Sequence, residues 1–158
     1  MPVNDGEDGR VSFSSLIWDS SNRVLLCTNQ KALFQVCSKN PHIGKTLSLH
    51  STPLASVMTP KHLIVSEENG MINWYRIEHP FDNAKPEDKF ITIMDEVDKE
   101  YNFREALPPD SESPAHYMIY SKSHAHLLLG TANGVLSLLN VASEKVTDED
   151  YEQEGQEE

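Results

Sequence analysis

The sequence predicts an all-β fold that is built from a repeated antiparallel sheet. Two segments 64 residues apart, 62–77 and 126–141, align without a gap. In each segment an apolar run leads to Asn-Gly, and a second apolar run follows. Asn-Gly between two such runs is the strongest short-range hairpin signal, because a two-residue type I′ turn requires positive φ at both central residues. The predicted turn residues are Asn69, Gly70, Asn133 and Gly134.

A weaker copy of the hairpin precedes these two. Residues 24–36 have the same apolar-turn-apolar form, with Asn29-Gln30-Lys31 in place of Asn-Gly. Aligning Leu25 with Leu63 places this copy 38 residues upstream. The longer interval of 64 residues then corresponds to 38 residues plus an insertion of 26.

Each hairpin is preceded by a further strand-like run, at 13–18, 54–58 and 116–120. A fourth, outer strand is expected after each hairpin, at 45–50, 89–94 and 145–147. Four strands at a period of roughly 40 residues are typical of a propeller blade. The alternative is a β-sandwich whose three hairpins resemble one another only because hairpins share a common pattern.

The repeat predicts the organisation of the whole chain. We expect a partial propeller of about three four-stranded blades, with an inserted loop and a disordered acidic tail. The predicted segments are a flexible N-terminus (1–10), propeller blades (11–141) in units of about 11–50, 51–94 and 114–147 with an insertion at 78–113, and the tail (143–158).

The formal net charge of −12 is concentrated outside the predicted strands. The tail carries eight carboxylates and one lysine, and the insertion carries eleven acidic and four basic residues. The tail lacks the apolar content to fold alone, so it is expected to be disordered. Nucleic-acid binding is not expected, because an acidic chain repels phosphates.

Three further features predict a cytoplasmic protein. The sequence has no run of 18 apolar residues that could cross a bilayer, and its first residues lack the features of a secretory signal. Cys27 and Cys37 fall in predicted strands or strand ends, which is typical of reduced core thiols.

The insertion is the predicted contact surface, because long insertions within repeats emerge on one rim of the fold, where propellers bind their partners. Four prolines within the insertion and Pro114 directly after it favour loop structure, and residues 95–106 could form a short amphipathic helix. The candidate interaction residues are Phe90, Ile91, Val97, Tyr101 and Phe103.

Three blades cannot close a propeller, which takes roughly four to eight. Three units therefore leave two sheet faces uncovered. Either the chain is a segment of a longer propeller protein, which we favour, or a partner chain completes the ring. In both cases the isolated chain is expected to be oligomeric or poorly soluble.

The sequence offers little support for catalysis or for a cofactor. His116, His124 and His126 lie close together, but no Cys, Asp or Glu joins them on the same element to complete a zinc site. Phosphate-binding and nucleophile motifs are absent. We therefore predict no catalytic, metal or cofactor-binding residues.

With its degenerate blades and Pro-rich insertion, and with motifs such as 66–71 and 126–135, the chain resembles WD-repeat propellers over residues 11–141. It is most similar to the cilia- and flagella-associated WD-repeat proteins of the axoneme, including those that tether inner dynein arms. The resemblance implies a non-catalytic scaffold in the cytoplasm or cytoskeleton, in a cilium or flagellum. The implied partners are proteins of a large complex, such as axonemal dynein or other WD-repeat subunits.

The chain departs from the WD-repeat pattern at two places. The family's Trp-Asp dipeptide is replaced by Tyr75-Arg76 and Leu139-Asn140, and its Gly-His signature is missing. The hydrogen-bond tetrad of well-conserved repeats is therefore expected to be absent, so that apolar packing alone holds the blades. Two other functions remain open: a regulatory adaptor that binds a peptide through 78–113, and an enzyme on a propeller scaffold.

Overall fold

A computed structural model describes residues 13–18, 23–28, 31–37, 40–77, 93–106 and 113–144. Within these ranges the chain forms eleven strands and two short 3₁₀ helices, at Phe103–Ala106 and Ala142–Glu144. The strands are β1 (Phe13–Trp18), β2 (Arg23–Thr28), β3 (Ala32–Cys37), β4 (Asn40–Ser48), β5 (Pro53–Met58), β6 (His62–Glu67), β7 (Met71–Ile77), β8 (Ile93–Asn102), β9 (Ala115–Ser121), β10 (His126–Thr131) and β11 (Leu136–Asn140). The predicted all-β class is confirmed.

The strands form three antiparallel sheets in chain order: a first sheet (β1–β4), a middle sheet (β5–β8) and a third sheet (β9–β11). Within each sheet, every strand pairs with the next one along the chain. The opening strands of neighbouring sheets lie against each other, β1 beside β5 and β5 beside β9. The three sheets are therefore stacked side by side with their opening strands adjacent, which is the arrangement of consecutive propeller blades.

The sequence repeat is also a repeat of strand register. In the middle sheet His62 pairs with Arg76 and Ser66 with Ile72. In the third sheet every partner lies 64 residues further on, from His126 opposite Asn140 to Gly130 opposite Leu136. A register irregularity also recurs at the same place between the first two strands of all three sheets.

The register corrects the alignment of the first hairpin by one residue. Ser15 pairs with Cys27, Ala55 with Ser66 and Tyr117 with Gly130, each beside the recurring irregularity. Cys27 is therefore equivalent to Ser66, an offset of 39 residues rather than 38. Apolar residues at both Val24 and Leu25 made the two alignments equally good by composition.

All four predicted turn residues lie in hairpin turns, but the turn type differs from the prediction. Positive φ occurs at Gly70 (88°) and Gly134 (92°) and not at the preceding asparagines. The Gly70 N–H donates to the Glu67 carbonyl over 3.0 Å. This is a three-residue loop, a type I turn followed by a left-handed residue, rather than a type I′ turn. Lys31 (φ 57°) holds the left-handed place in the first hairpin.

The outer strand of the middle sheet differs from the prediction in place and in kind. Residues 93–102 form β8, where the sequence analysis placed an outer strand at 89–94 and a helix at 95–106. Met71 pairs with Asn102 and Ile72 with Tyr101, so β8 takes up the free edge of β7. An edge with unpaired backbone groups outweighs a weak helical pattern, because those groups gain hydrogen bonds in the ladder.

The middle sheet is buried on both faces, and the core consists of the two layers beside it. Toward the first sheet, Leu63, Val65, Tyr75 and Ile77 meet Leu33 and Leu49. Toward the third sheet, Ile64, Ile72, Trp74 and Phe103 form one cluster with Ala115, Leu127, Leu129 and Val141. Burial of both faces explains why β6 reads as a continuous apolar run rather than an alternating one.

Several predicted segments lie outside the described residues. They include the flexible N-terminus at 1–10, most of the insertion, the third outer strand at 145–147 and nearly all of the acidic tail. The domain boundaries therefore stay a prediction. Ser143 and Glu144, which we had placed in the tail, instead belong to a 3₁₀ helix, and Glu144 is buried.

Candidate interaction surface

The side of the third sheet that faces away from the middle sheet carries large exposed apolar side chains. Four of them are between 63% and 73% exposed, and Leu128 is 37% exposed. We call this surface the outer face; its residues are Tyr117, Ile119, Leu128, Leu136 and Leu138. A contiguous exposed apolar patch of this kind marks an interaction site in a soluble protein.

The outer face is built as two cross-strand rows. Leu128 pairs with Ile119 on one side and with Leu138 on the other. In the second row Gly130 pairs with Tyr117 and Leu136. A Cβ at Gly130 would lie 3.4 Å from Leu136 Cδ2 and 3.5 Å from Tyr117 Cβ, so the neighbouring side chains lean over the glycine. The patch is therefore continuous across three strands.

The same positions are covered in the middle sheet. The 64-residue repeat makes Leu128, Leu136 and Leu138 equivalent to Ile64, Ile72 and Trp74, each of which is 0% exposed beneath the third sheet. The outer face thus repeats the surface on which one sheet already packs against the next. Its chemistry is suited to receiving another β-sheet.

The five interaction residues that were predicted in the insertion have three different locations. Phe90 and Ile91 lie outside the described residues. Val97 and Tyr101 are half-buried in β8 and pack against the two core layers. The prediction that Phe103 belongs to an interaction surface is wrong, because this residue is fully buried in the cluster with Trp74.

The burial of Phe103 follows from its place just after β8. Its N–H donates to the Gly70 carbonyl over 3.0 Å, which turns the chain inward at the end of the ladder. Leu49 has the equivalent place after β4, donates to the Lys31 carbonyl over 2.7 Å and is also buried. The residue that follows the outer strand is therefore a core residue in both the first and the middle sheet.

The part of the insertion that forms β8 exposes acidic side chains rather than the apolar ones that we had predicted as a contact surface. Asp95, Glu96, Asp98 and Glu100 on β8 are all exposed. Charged side chains on an outer strand discourage pairing with further strands. They also make this edge attractive to a basic partner.

A polar cluster links the middle sheet to the end of the third, and we call it the latch (Thr59, His62, Asp98 and Glu144). His62 Nδ1 lies 2.8 Å from Glu144 Oε1, and His62 Nε2 lies 2.6 Å from Asp98 Oδ2. Thr59 Oγ1 donates to Glu144 Oε2 over 2.5 Å. Glu144 is only 1% exposed. The expectation that apolar packing alone holds the blades is therefore wrong.

The latch favours a protonated imidazole. Burial alone would lower the pKa of His62, but the hydrogen bonds to Glu144 and Asp98 and the charges of these carboxylates outweigh it, so the pKa is raised above its ordinary value. A charged imidazolium donates from both nitrogens, which is what two flanking carboxylates require. His62, the first residue of β6, is thereby held by one carboxylate on each side.

A second polar group is buried between the first and middle sheets. Glu67 is 0% exposed and accepts hydrogen bonds from the Ser51 N–H and from Asn73 Nδ2. Burial raises its pKa, since desolvation disfavours the carboxylate. Burial likewise raises the pKa of Tyr75 to about 12. The Tyr75 hydroxyl and Asn73 Oδ1 have no hydrogen-bond partner among the described residues.

The third-unit histidines form no ligand set. His124 and His126 stack with ring centroids 6.0 Å apart, while His116 Nδ1 lies 3.2 Å from the Pro114 carbonyl. No group of three or more His, Cys, Asp or Glu within the described ranges could hold a metal ion. No helix in the same part of the chain is long and apolar enough to cross a membrane.

Sequence reasoning anticipated the uncovered faces but did not name the residues of the outer face. The signal was present in the repeat, which places Leu128, Leu136 and Leu138 opposite apolar residues of the previous copy. The latch left no such signal, because His62 and Glu144 lie 82 residues apart.

Comparison with known proteins supports the fold. No known protein family and no curated protein matches the sequence. Among solved structures, the chain is similar to the β-propeller domain of Cps50 (Swd1) from Myceliophteria thermophila, with a TM-score of 0.57 and 12% identity over 89% of this chain. The chain spans 43% of the length of that domain. It has a partial WD40-like β-propeller fold.

Two more distant similarities have TM-scores below 0.5. One is to BBS1N in a complex with ARL6DN, at 0.48 and 12% identity over 87% of this chain and 38% of that one. The other is to the computationally designed Ika4 protein, at 0.47 and 7% identity over 88% of this chain and 96% of that one.

Proposed function

We propose that this chain is a non-catalytic protein-interaction scaffold, a propeller segment that assembles with further β-sheet and holds other proteins in a large complex. The observation that carries the proposal is the outer face, five apolar side chains of which three occupy positions that are core positions in the preceding sheet. A surface of this chemistry costs free energy in water and is stabilised by a covering protein.

The axonemal cilium or flagellum is the setting that we propose for this scaffold, with dynein or another WD-repeat subunit among its partners. The resemblance of the degenerate blades and of the insertion to cilia- and flagella-associated propellers supports this setting. The acidic edge of β8 favours basic regions of a partner over acidic ones.

Proximity labelling in ciliated and non-ciliated cells tests the proposal. The tagged chain should mark one reproducible set of proteins, and Leu138→Glu should lose part of that set because a charge replaces an apolar contact. Ser123→Glu is the matched control, since it adds the same charge at an exposed corner between β9 and β10 of the same sheet. Identical sets for both variants and the unmodified chain would contradict a scaffold that works through this face.

A regulatory adaptor is the second candidate, and the exposed acidic strand β8 favours it. Replacing Asp95 and Glu96 with Asn and Gln should weaken a basic partner and leave the outer-face partners in place. Loss of both sets together would instead point to a structural role for β8.

A further inference from the structure

We propose that the outer face binds the first sheet of a second copy of this chain, so that two copies complete a six-sheet ring. The inference rests on the proposed function, because it names the first protein that the scaffold binds.

Within the chain, each contact between neighbouring sheets joins unlike faces. The middle sheet contributes Ile64, Ile72 and Trp74, and the third sheet covers them with Leu127 and Leu129. The outer face has the positions of the first group, one repeat further on. What fits it is therefore a sheet that presents the positions of the second group.

The first sheet presents those positions on the side that faces away from the middle sheet, which we call the entry face. Its register makes Leu16 equivalent to Met118 of the third sheet. Met118 packs in the contact between the middle and third sheets, whereas Leu16 is 65% exposed. The register positions of Leu127, Leu129 and Leu139 are occupied in the first sheet by the apolar residues Val24, Leu26 and Val36.

One chain thus carries both halves of a single kind of contact, one at each end of its stack of sheets. Such head-to-tail contacts generate a closed ring when the rotation closes, and an open filament when it does not. Propellers close with roughly four to eight blades. The described residues of two copies supply six sheets, which is within this range, whereas those of three copies would supply nine. The closed assembly is therefore a dimer with two identical contacts.

Light scattering coupled to size-exclusion chromatography tests the inference on the purified full chain. The expected mass is twice 17.8 kDa, with dissociation on dilution. Leu138→Glu should raise the dimer dissociation constant by at least ~100-fold, because it places a charge inside both contacts. Ser123→Glu should leave the dimer unchanged.

Leu16→Glu distinguishes a head-to-tail ring from other dimers. In the ring it disrupts the contact from the opposite side, so it should also raise the dissociation constant by at least ~100-fold. If two outer faces met each other instead, Leu16→Glu would have no effect. Circular dichroism of each variant checks folding, and dilution of the unmodified chain measures dimerisation without any substitution.

A monomer at all concentrations, an open series of larger oligomers, or a dimer that survives Leu16→Glu would each overturn the inference. A monomer that still loses labelled partners on Leu138→Glu would refute only the second copy and leave the scaffold function standing. Loss of the dimer on Leu138→Glu with an unchanged set of labelled partners would instead contradict a scaffold that works through this face.

Discussion

Replacing His62 with Gln should cost the fold about 3 kcal/mol at mildly acidic pH. The imidazolium of His62 lies between Glu144, which is buried, and Asp98, which is about half-exposed. Removing one partner of a buried ion pair costs roughly 3–5 kcal/mol, because the other charge is left without compensation. A half-exposed pair contributes at most about 1 kcal/mol. Most of the loss therefore comes from the uncompensated Glu144.

The pH dependence of this loss has a definite sign. The folded-state pKa of His62 is raised above its unfolded value, so its contribution is fully present below about pH 6.5 and is lost as the pH rises through the folded-state pKa. The difference in unfolding free energy between the unmodified chain and His62→Gln should therefore be largest near pH 6 and shrink toward alkaline pH.

Urea unfolding at fixed protein concentration, followed by circular dichroism, measures this difference across the pH range. In thermal unfolding at mildly acidic pH, the melting temperature of His62→Gln should be roughly 6–12 °C lower than that of the unmodified chain. This follows because each kcal/mol of lost stability lowers the melting temperature by about 2–4 °C for a chain of this size. His126→Gln is the matched control, because His126 holds the equivalent place in the third sheet and its ring stacks on His124. Asp98→Asn should cost less than about 1 kcal/mol.

A difference that grows toward alkaline pH would refute the latch as described. So would equal losses for His62→Gln and His126→Gln, because the carboxylates would then contribute nothing specific. A large loss of stability in Asp98→Asn would show that the exposed carboxylate of Asp98, rather than the buried one of Glu144, makes the main contribution.

Three further predictions concern single positions and are read from urea unfolding. Gly134→Ala should cost about 1 kcal/mol, because φ is +92° and the added Cβ, which meets no atom within 4 Å, leaves only this backbone strain. Lys31→Gly should stabilise the fold by up to about 1 kcal/mol, because it relieves the same strain at the equivalent place. A stabilising Gly134→Ala or a destabilising Lys31→Gly would contradict the shared left-handed turn. Tyr75→Phe should be neutral or stabilising, because it removes a buried hydroxyl without a partner among the described residues, and a loss above about 1 kcal/mol would reveal one. Glu67→Gln should stabilise the fold at neutral pH and not below about pH 4.5. The raised folded-state pKa of Glu67 means that the ionised carboxylate lowers the free energy of unfolding as the pH rises above 4.5, and Gln removes this penalty. The same pH dependence of unfolding free energy in the variant and the unmodified chain would contradict this.

The sequence alone was sufficient for the features that depend on neighbours along the chain. The hairpins at 62–77 and 126–141, the opening strands, the turn positions and the all-β class all follow from short apolar runs and turn residues. Even the shared register is implied, because identical spacing about the two turns places equivalent residues opposite each other. The conformation of each turn was beyond this level, since Asn-Gly suits both a type I′ turn and the three-residue loop that forms.

The features that depend on contacts distant along the chain were decided by strand pairing and by the stacking of the sheets. Residues 93–102 became an edge strand because β7 offered unpaired backbone groups, and Phe103 became core because the end of that ladder turns the chain inward. His62 and Glu144, 82 residues apart, met only because the third sheet packs on the middle one. Likewise Trp74 is buried and Leu138 exposed at equivalent places in the repeat, since within the described residues only the sheet of Trp74 is covered by a following sheet. Local patterns specify which side chains share a face, and the number of neighbouring sheets specifies which faces meet water.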